Sequence, residues 1–182
     1  LENMGRLSDD KVLACAAALA DAAGLELGRV LTDATRERYG VTFAARNVQA
    51  VDGGLTGEIG TSRVVLGTAA LMVNMGIRIH AGQGDHTCIY LVVDNVLAGV
   101  ITLRYQPTKN TYRAMRLMRR MHMNALLAVQ DFNISPAMVE AEFDLRRGFA
   151  DQPGPAGIKR LLDPHYAEGD APAAILTREG AG

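Results

Sequence analysis

The chain has 182 residues, 48% of them hydrophobic and 21% charged, with a formal net charge of −1. That balance suits one large or two small packed domains and carries no electrostatic footprint for nucleic acid or an anionic membrane. No apolar run has the length of a bilayer span: the best stretch, Tyr90–Leu103, is broken by Asp94-Asn95. No signal peptide with a charged leading region is visible, and the opening residue Leu1, in place of Met, reads as a piece of a longer protein whose membrane segments lie elsewhere. Cys15 and Cys88 lack metal-site spacing and read as buried, reduced thiols.

Ser8, with Asp9 and Asp10 behind it, is a helix start. Val12, Ala16, Leu19 and Ala23 then recur at helical spacing, predicting a helix over Asp9–Ala22 that Gly24 ends. A second helix places Leu27, Val30, Leu31 and Ala34 on one face and stops at Gly40. From Val41 the period becomes two. Strands are expected at Val41–Phe43, Val48–Val51, Leu55–Ile59 and Arg63–Leu66, with turns at Asp52-Gly53-Gly54 and Gly60-Thr61-Ser62. Thr68 caps a short helix through Met75, and Gly76–His80 adds a short strand. Ala81–Asp85 is a polar loop.

The hairpin Ile89–Val93 and Val96–Leu103 turns at Asp94-Asn95, a pair that tolerates the left-handed backbone a tight turn needs. Pro107 stops the sheet, since it cannot donate to a ladder. A helix follows over Lys109–His122, with Ala114, Leu117, Met118 and Met121 as its apolar stripe and Arg113, Arg116, Arg119 and Arg120 elsewhere. Ala125–Val129 is a short apolar run. Ser135-Pro136 opens a helix to about Leu145, Ile158–Leu162 is a helical turn, and Asp170-Ala171-Pro172 opens a last helix before a frayed Gly180-Ala181-Gly182. The order of elements gives an α/β protein: residues 1–104 form an antiparallel sheet with helices on one face, and residues 105–182 form a second α/β unit.

Several segments, in this order, resemble the cytosolic part of a P-type cation-transporting ATPase of the heavy-metal class. Residues 9–40 are similar to the paired helices that open that family's nucleotide-binding domain. Asp52-Gly53-Gly54-Leu55-Thr56-Gly57-Glu58 resembles its glycine-rich segment, and Val64–Met72 the strand, glycine and helix that follow. Ile89–Leu103 resembles the terminal hairpin, and Lys109 onward the return into a haloacid-dehalogenase-like phosphorylation domain. Gly169-Asp170-Ala171-Pro172-Ala173-Ala174 resembles the family's last motif. The resemblance implies a domain on the cytoplasmic side of a bacterial membrane, partnered by other domains of a longer membrane protein, with ATP or ADP as weak ligands and magnesium beside them.

The departures fall on the chemistry. No DKTGT motif, with its phosphorylated aspartate, is present. Where the family carries a nucleotide-holding histidine, this chain reads Ala23-Gly24-Leu25-Glu26. The first glycine of Gly-x-Gly is Asp52, whose carboxylate repels phosphate and whose side chain blocks close approach. Tyr105 and Tyr166 fall where aspartates belong, and Val129-Gln130-Asp131 keeps only the last residue of Thr-Gly-Asp. Asp131, Lys159 and Asp170 remain as vestigial catalytic residues; Gly53, Gly54, Gly57 and Gly67 remain as a nucleotide cleft. Phosphoryl transfer needs a carboxylate nucleophile besides, so a catalytically silent regulatory or scaffolding domain is expected, with a nucleotide sensor as alternative and a haloacid-dehalogenase-type phosphatase behind both. Competing structural readings are turn glycines in a meander, Asp131 as a loop residue and Asp170 as a cap. Met115, Met118, Met121, His122 and Met123 suggest core filler before a soft-metal site, and the arginines a solvated helix face before a phosphate or partner surface.

Overall fold

The computed structural model describes residues 1–5, 7–79, 88–127, 129, 131–153, 173–177 and 180–181, the last two segments by backbone only. The chain divides into two compact units, Leu1–Arg104 with Asp131–Asn133, and Tyr105–Gln130 with Ile134–Gly182.

In the first unit a two-residue strand β1 (Glu2–Asn3) precedes helix α1 (Asp9–Ala22). Ser8 stands at the N-cap, but its hydroxyl caps no amide; it bonds the Asp10 carboxyl instead and lowers that group's pKa. At the other end Gly24 has φ +69, and the Leu25 amide reaches back to the Ala20 carbonyl at 3.0 Å. This left-handed cap turns Leu25 inward. Helix α2 (Glu26–Arg38) starts at once and buries Leu27, Gly28, Leu31 and Thr35. Val30, assigned above to the buried face, is 53% exposed. The stripe is rotated because α2 crosses α1 at Gly28, where a Cβ would collide with the Asp21 backbone. The small residues of α1 and this glycine allow the two backbones to approach closely.

Strand β2 is one piece, Ala45–Val51, with no strand at Val41–Phe43. It lies at the sheet edge, and its one partner among the described residues, β3 (Gly54–Ile59), reaches no further than Ile59 opposite Ala45. A ladder cannot extend where it has nothing to pair with. Asn47, at φ +52, sits in the register shift between Arg46 and Gln49. Next come β4 (Ser62–Gly67) and α3 (Ala69–Asn74). Thr68 Oγ1 accepts from the Leu71 amide at the N-cap of α3. Gly76–Ile79 is not a strand: Gly76, at φ +72, and Ile77 return their amides to Val73 and Met72 and close α3. His80 and the loop after it lie outside the described residues.

The hairpin β5 (Cys88–Val93) and β6 (Val96–Thr102) turns at Asp94 and Asn95, with φ of +48 and +63. Asp94 also accepts from Ser62 Oγ (2.9 Å) and the Arg63 amide (3.0 Å), tying this turn to the start of β4. The six strands form one antiparallel sheet in the order β1-β6-β5-β4-β3-β2. Helices cover both faces rather than one. Val64, Leu66, Ile89, Leu91 and Ala98 pack with α1 and α2, whereas Val65, Tyr90, Val92 and Val100 pack with Leu71 and Met72 of α3. Double burial explains why β5 and β6 read as continuous apolar runs, without the alternation of a half-solvated sheet. An extra residue, Ala98, stands between Gly99, opposite Leu91, and Leu97, opposite Val92. A Cβ on Gly99 would lie 2.6 Å from a Val12 methyl, so α1 uses that glycine for its seat.

In the second unit, helix α4 (Lys109–Arg120) is capped by Thr108, whose hydroxyl accepts from the Thr111 amide at 3.2 Å. Its buried residues are Met115 and Met118. Leu117 and Met121, expected inside, are 55% and 61% exposed. The methionines pack with Ala125, Leu127, Val139 and Phe149 as core filler. Strand β7 (Asn124–Leu127) precedes α5 (Pro136–Glu142), which ends three residues short of Leu145 with Ser135 as cap. Short strands β8 (Ala150–Asp151), β9 (Ala173–Thr177) and β10 (Gly180–Ala181) complete a sheet in the order β10-β9-β7-β8. Both β8 and β9 run parallel to β7, and β10 turns back along β9. Residues 173–177 are thus a strand and not the continuation of a last helix, and Gly180-Ala181 is paired rather than frayed. The small and branched run Ala173-Ala174-Ile175-Leu176 fits a buried parallel strand as well as a helix, which periodicity alone cannot separate. The helical turn expected at Ile158–Leu162 lies outside the described residues.

Candidate functional site

The four glycines of the nucleotide reading do not form one group. Gly54 and Gly67 face each other across β3 and β4. Gly53, at φ +79, precedes them, and its carbonyl accepts from the Thr68 amide at 2.9 Å. These three meet the N-terminus of α3. Gly57 lies three residues on, on the α1 side, where a Cβ would stand 3.0 Å from both Leu19 Cδ2 and Val48 Cγ2.

What a side chain would meet at the cluster shows what the glycines are for. A Cβ on Gly54 would strike the Leu66 carbonyl, and one on Gly67 would lie 2.8 Å from the Gly53 carbonyl. At Gly53 it would lie 2.8 Å from Thr68 Oγ1. Asp52, beside them, is exposed with its carboxylate toward solvent. The cluster joins β3, β4 and α3 by close backbone approach.

Leu25 is 9% exposed and belongs to the core between the helix pair and the sheet. Of the residues expected as vestigial catalytic groups, Asp131 is buried, at 4% exposure, in the Asp131–Asn133 segment that groups with the first unit. Lys159 and Asp170 lie outside the described residues, as does Tyr166. Among the described residues no group of three or more His, Cys, Asp or Glu side chains could hold a metal ion.

The open concavity of the second unit lies elsewhere. Tyr112, Met115, Arg116 and Arg119 of α4 and Phe143–Leu145 after α5 line a cleft of about 280 Å³. The arginines were legible as a helix face. The aromatic partner was not, because Phe143 lies 31 residues from Tyr112 and only the α4–α5 packing brings their ring centroids to 5.4 Å.

No family model matches the chain, and no curated protein matches it. Solved structures do. The catalytic domain of the CPx-ATPase CopB-B, described for its conformational changes upon nucleotide binding, aligns with a TM-score of 0.55 and 10% identity over 94% of this chain and 61% of that one. The N-domain of HMA6, a copper-transporting P-type ATPase, aligns with a TM-score of 0.47 and 25% identity over 56% of this chain and 93% of that one. A zinc-transporting PIB-type ATPase in its E2.Pi state aligns with a TM-score of 0.45 and 16% identity over 96% of this chain and 29% of that one. No helix among the described residues is long and apolar enough to cross a membrane. The mixed α/β architecture, a six-stranded antiparallel sheet with helices, matches the nucleotide-binding-domain fold of P-type ATPases.

Proposed function

We propose that this chain is a cytoplasmic-side domain of a P-type cation-transporting-ATPase-like membrane protein, and that it acts as a regulatory or scaffolding element without itself transferring phosphate. The fold correspondence with a CPx-ATPase catalytic domain across 94% of the chain carries the reading. The glycine cluster supports the silent part, because its members pack closely against Leu71 and the neighbouring strand. Strand β7 between parallel β8 and β9 supports taking the second unit as a partial haloacid-dehalogenase-like element. Its partners on this reading are other domains of the parent protein.

A second reading, a weak ATP or ADP sensor, is favoured by the nucleotide-linked conformational change for which the CopB-B structure is described. One experiment separates the two from a working ATPase. The purified chain is incubated with magnesium and γ-labelled ATP, and both phosphate release and acid-stable labelling are followed. The proposal expects neither; covalent label on an aspartate of this chain would overturn it.

A further inference from the structure

Helix α4 carries more positive charge than its packing requires. Lys109, Arg113, Arg116 and Arg120 recur at spacings of four, three and four, which sets them on one stripe opposite the buried Met115 and Met118. All four are exposed, and α4 holds no carboxylate. Like charges at these spacings repel one another. The one ion pair among the described residues is Arg29–Glu26, on α2, so no described carboxylate offsets the stripe. Arg119, at its edge, donates from Nη1 to the uncharged Asp144 carbonyl at 3.4 Å. Apolar groups border the stripe on both sides. Leu117 and Met121, one turn apart, are exposed on one side. On the other, Tyr112 is 55% exposed beside Phe143, at the mouth of the cleft of about 280 Å³.

Exposed arginines beside an aromatic hollow are the composition of a protein interface. Guanidinium groups take carboxylates through paired donors, and a surface of one sign selects a partner of the other. The cleft is at the lower end of small-ligand pockets, room for one anchoring side chain. Its single carboxyl-bearing residue, Asp144, is outnumbered by Arg119 and the four cations of the stripe. The chain as a whole has a charge of −1 and so offers no general attraction to a long polyanion such as nucleic acid. A flat bilayer would span the cleft without filling it. We propose that α4 is a docking surface for an acidic protein segment, with the segment's carboxylates on Arg113, Arg116 and Arg120 and one of its aromatic or branched side chains seated against Tyr112 and Phe143. This goes beyond the scaffolding reading by naming the partner's chemistry, and it does not depend on that reading.

The test is titration of the isotope-labelled full chain with a synthetic peptide of 12 residues, the length of α4, all glutamate but for one central phenylalanine, read by backbone amide shifts. The amides of Tyr112, Arg113, Arg116 and Phe143 should move along one saturating curve, and the affinity should fall with added salt. A chain carrying both Arg113→Glu and Arg116→Glu should bind about tenfold more weakly, two exposed charge contacts having turned repulsive. Both positions are exposed, so that chain should keep the wild-type melting temperature. An all-glutamate peptide should bind about fivefold more weakly, the worth of partly burying one aromatic side chain. Glutamine in place of every glutamate should abolish binding. Absence of shifts, equal affinity for the glutamate and glutamine peptides, undiminished binding in the double variant, or undiminished binding without the phenylalanine would each overturn the proposal. Vesicles of phosphatidylserine and phosphatidylcholine that moved the same amides at lower concentration than the peptide would assign the stripe to a membrane surface and overturn it as well.

Discussion

The two units solve the same packing problem with different means. In the first, a six-stranded sheet is covered on both faces, by α1 and α2 on one side and α3 on the other, so its central strands are apolar at almost every position. Gly28, Gly54, Gly57, Gly67 and Gly99 are contact points, where backbone meets backbone or a core side chain. In the second, one small core holds a short sheet, two of its largest members are methionines, and charge crowds the exposed side of α4. The first unit spends its unusual residues on fit. The second leaves its unusual residues on the surface, and there a ligand or partner remains to be sought.

Substitutions sharpen this contrast. The largest effect should come from Gly28→Val, which drives a branched side chain into the α1 backbone at Asp21. Such overpacking costs about 3 kcal/mol, and amide exchange should accelerate throughout Leu1–Arg104. Met115→Ala should cost about 2 kcal/mol, because a flexible thioether leaves a cavity that can partly collapse. Its faster exchange should be confined to α4, β7 and α5. If either variant loosened both units equally, the division would be wrong. Ser135→Ala removes the acceptor for the Met138 amide, 3.2 Å away, and should cost about 1 kcal/mol by denaturant titration.

A pH effect belongs to the first unit. Burial pushes the Cys15 thiol from 9.0 up to about 11. The unfolded chain therefore loses this proton first. The Cys15 contribution to stability should be constant below pH 9 and fall as pH rises toward 11. Cys15→Ala should remove that slope, and in the native chain at pH 8 the thiol should resist alkylation until denaturant is added.

Much of the first unit was legible because its signals are local. Gly24, Thr68 and Asp94-Asn95, like Ser135-Pro136 in the second unit, act on their immediate neighbours, and each marks the turn or cap expected of it. Faces were harder. Val30, Leu117 and Met121 are apolar at helical spacing and still point to solvent, because close approach at Gly28 and the seating of Met115 and Met118 fix the rotation of their helices. Strand Ala173–Thr177 was read as helix since a short apolar run has no period of its own. At the candidate site, the sequence identified the glycines but not their neighbours. Only the β3–β4 pairing shows that Gly53, Gly54 and Gly67 meet each other and that Gly57 faces α1.

The most direct test of the central claim, that the glycine segment serves packing and not phosphate, is a titration of the labelled chain with ADP while the amides of Gly53, Gly54, Gly57 and Gly67 are followed. The account predicts that these four stay in place at millimolar ADP. Saturable shifts clustered at the glycines would contradict it and restore a working nucleotide cleft in the first unit.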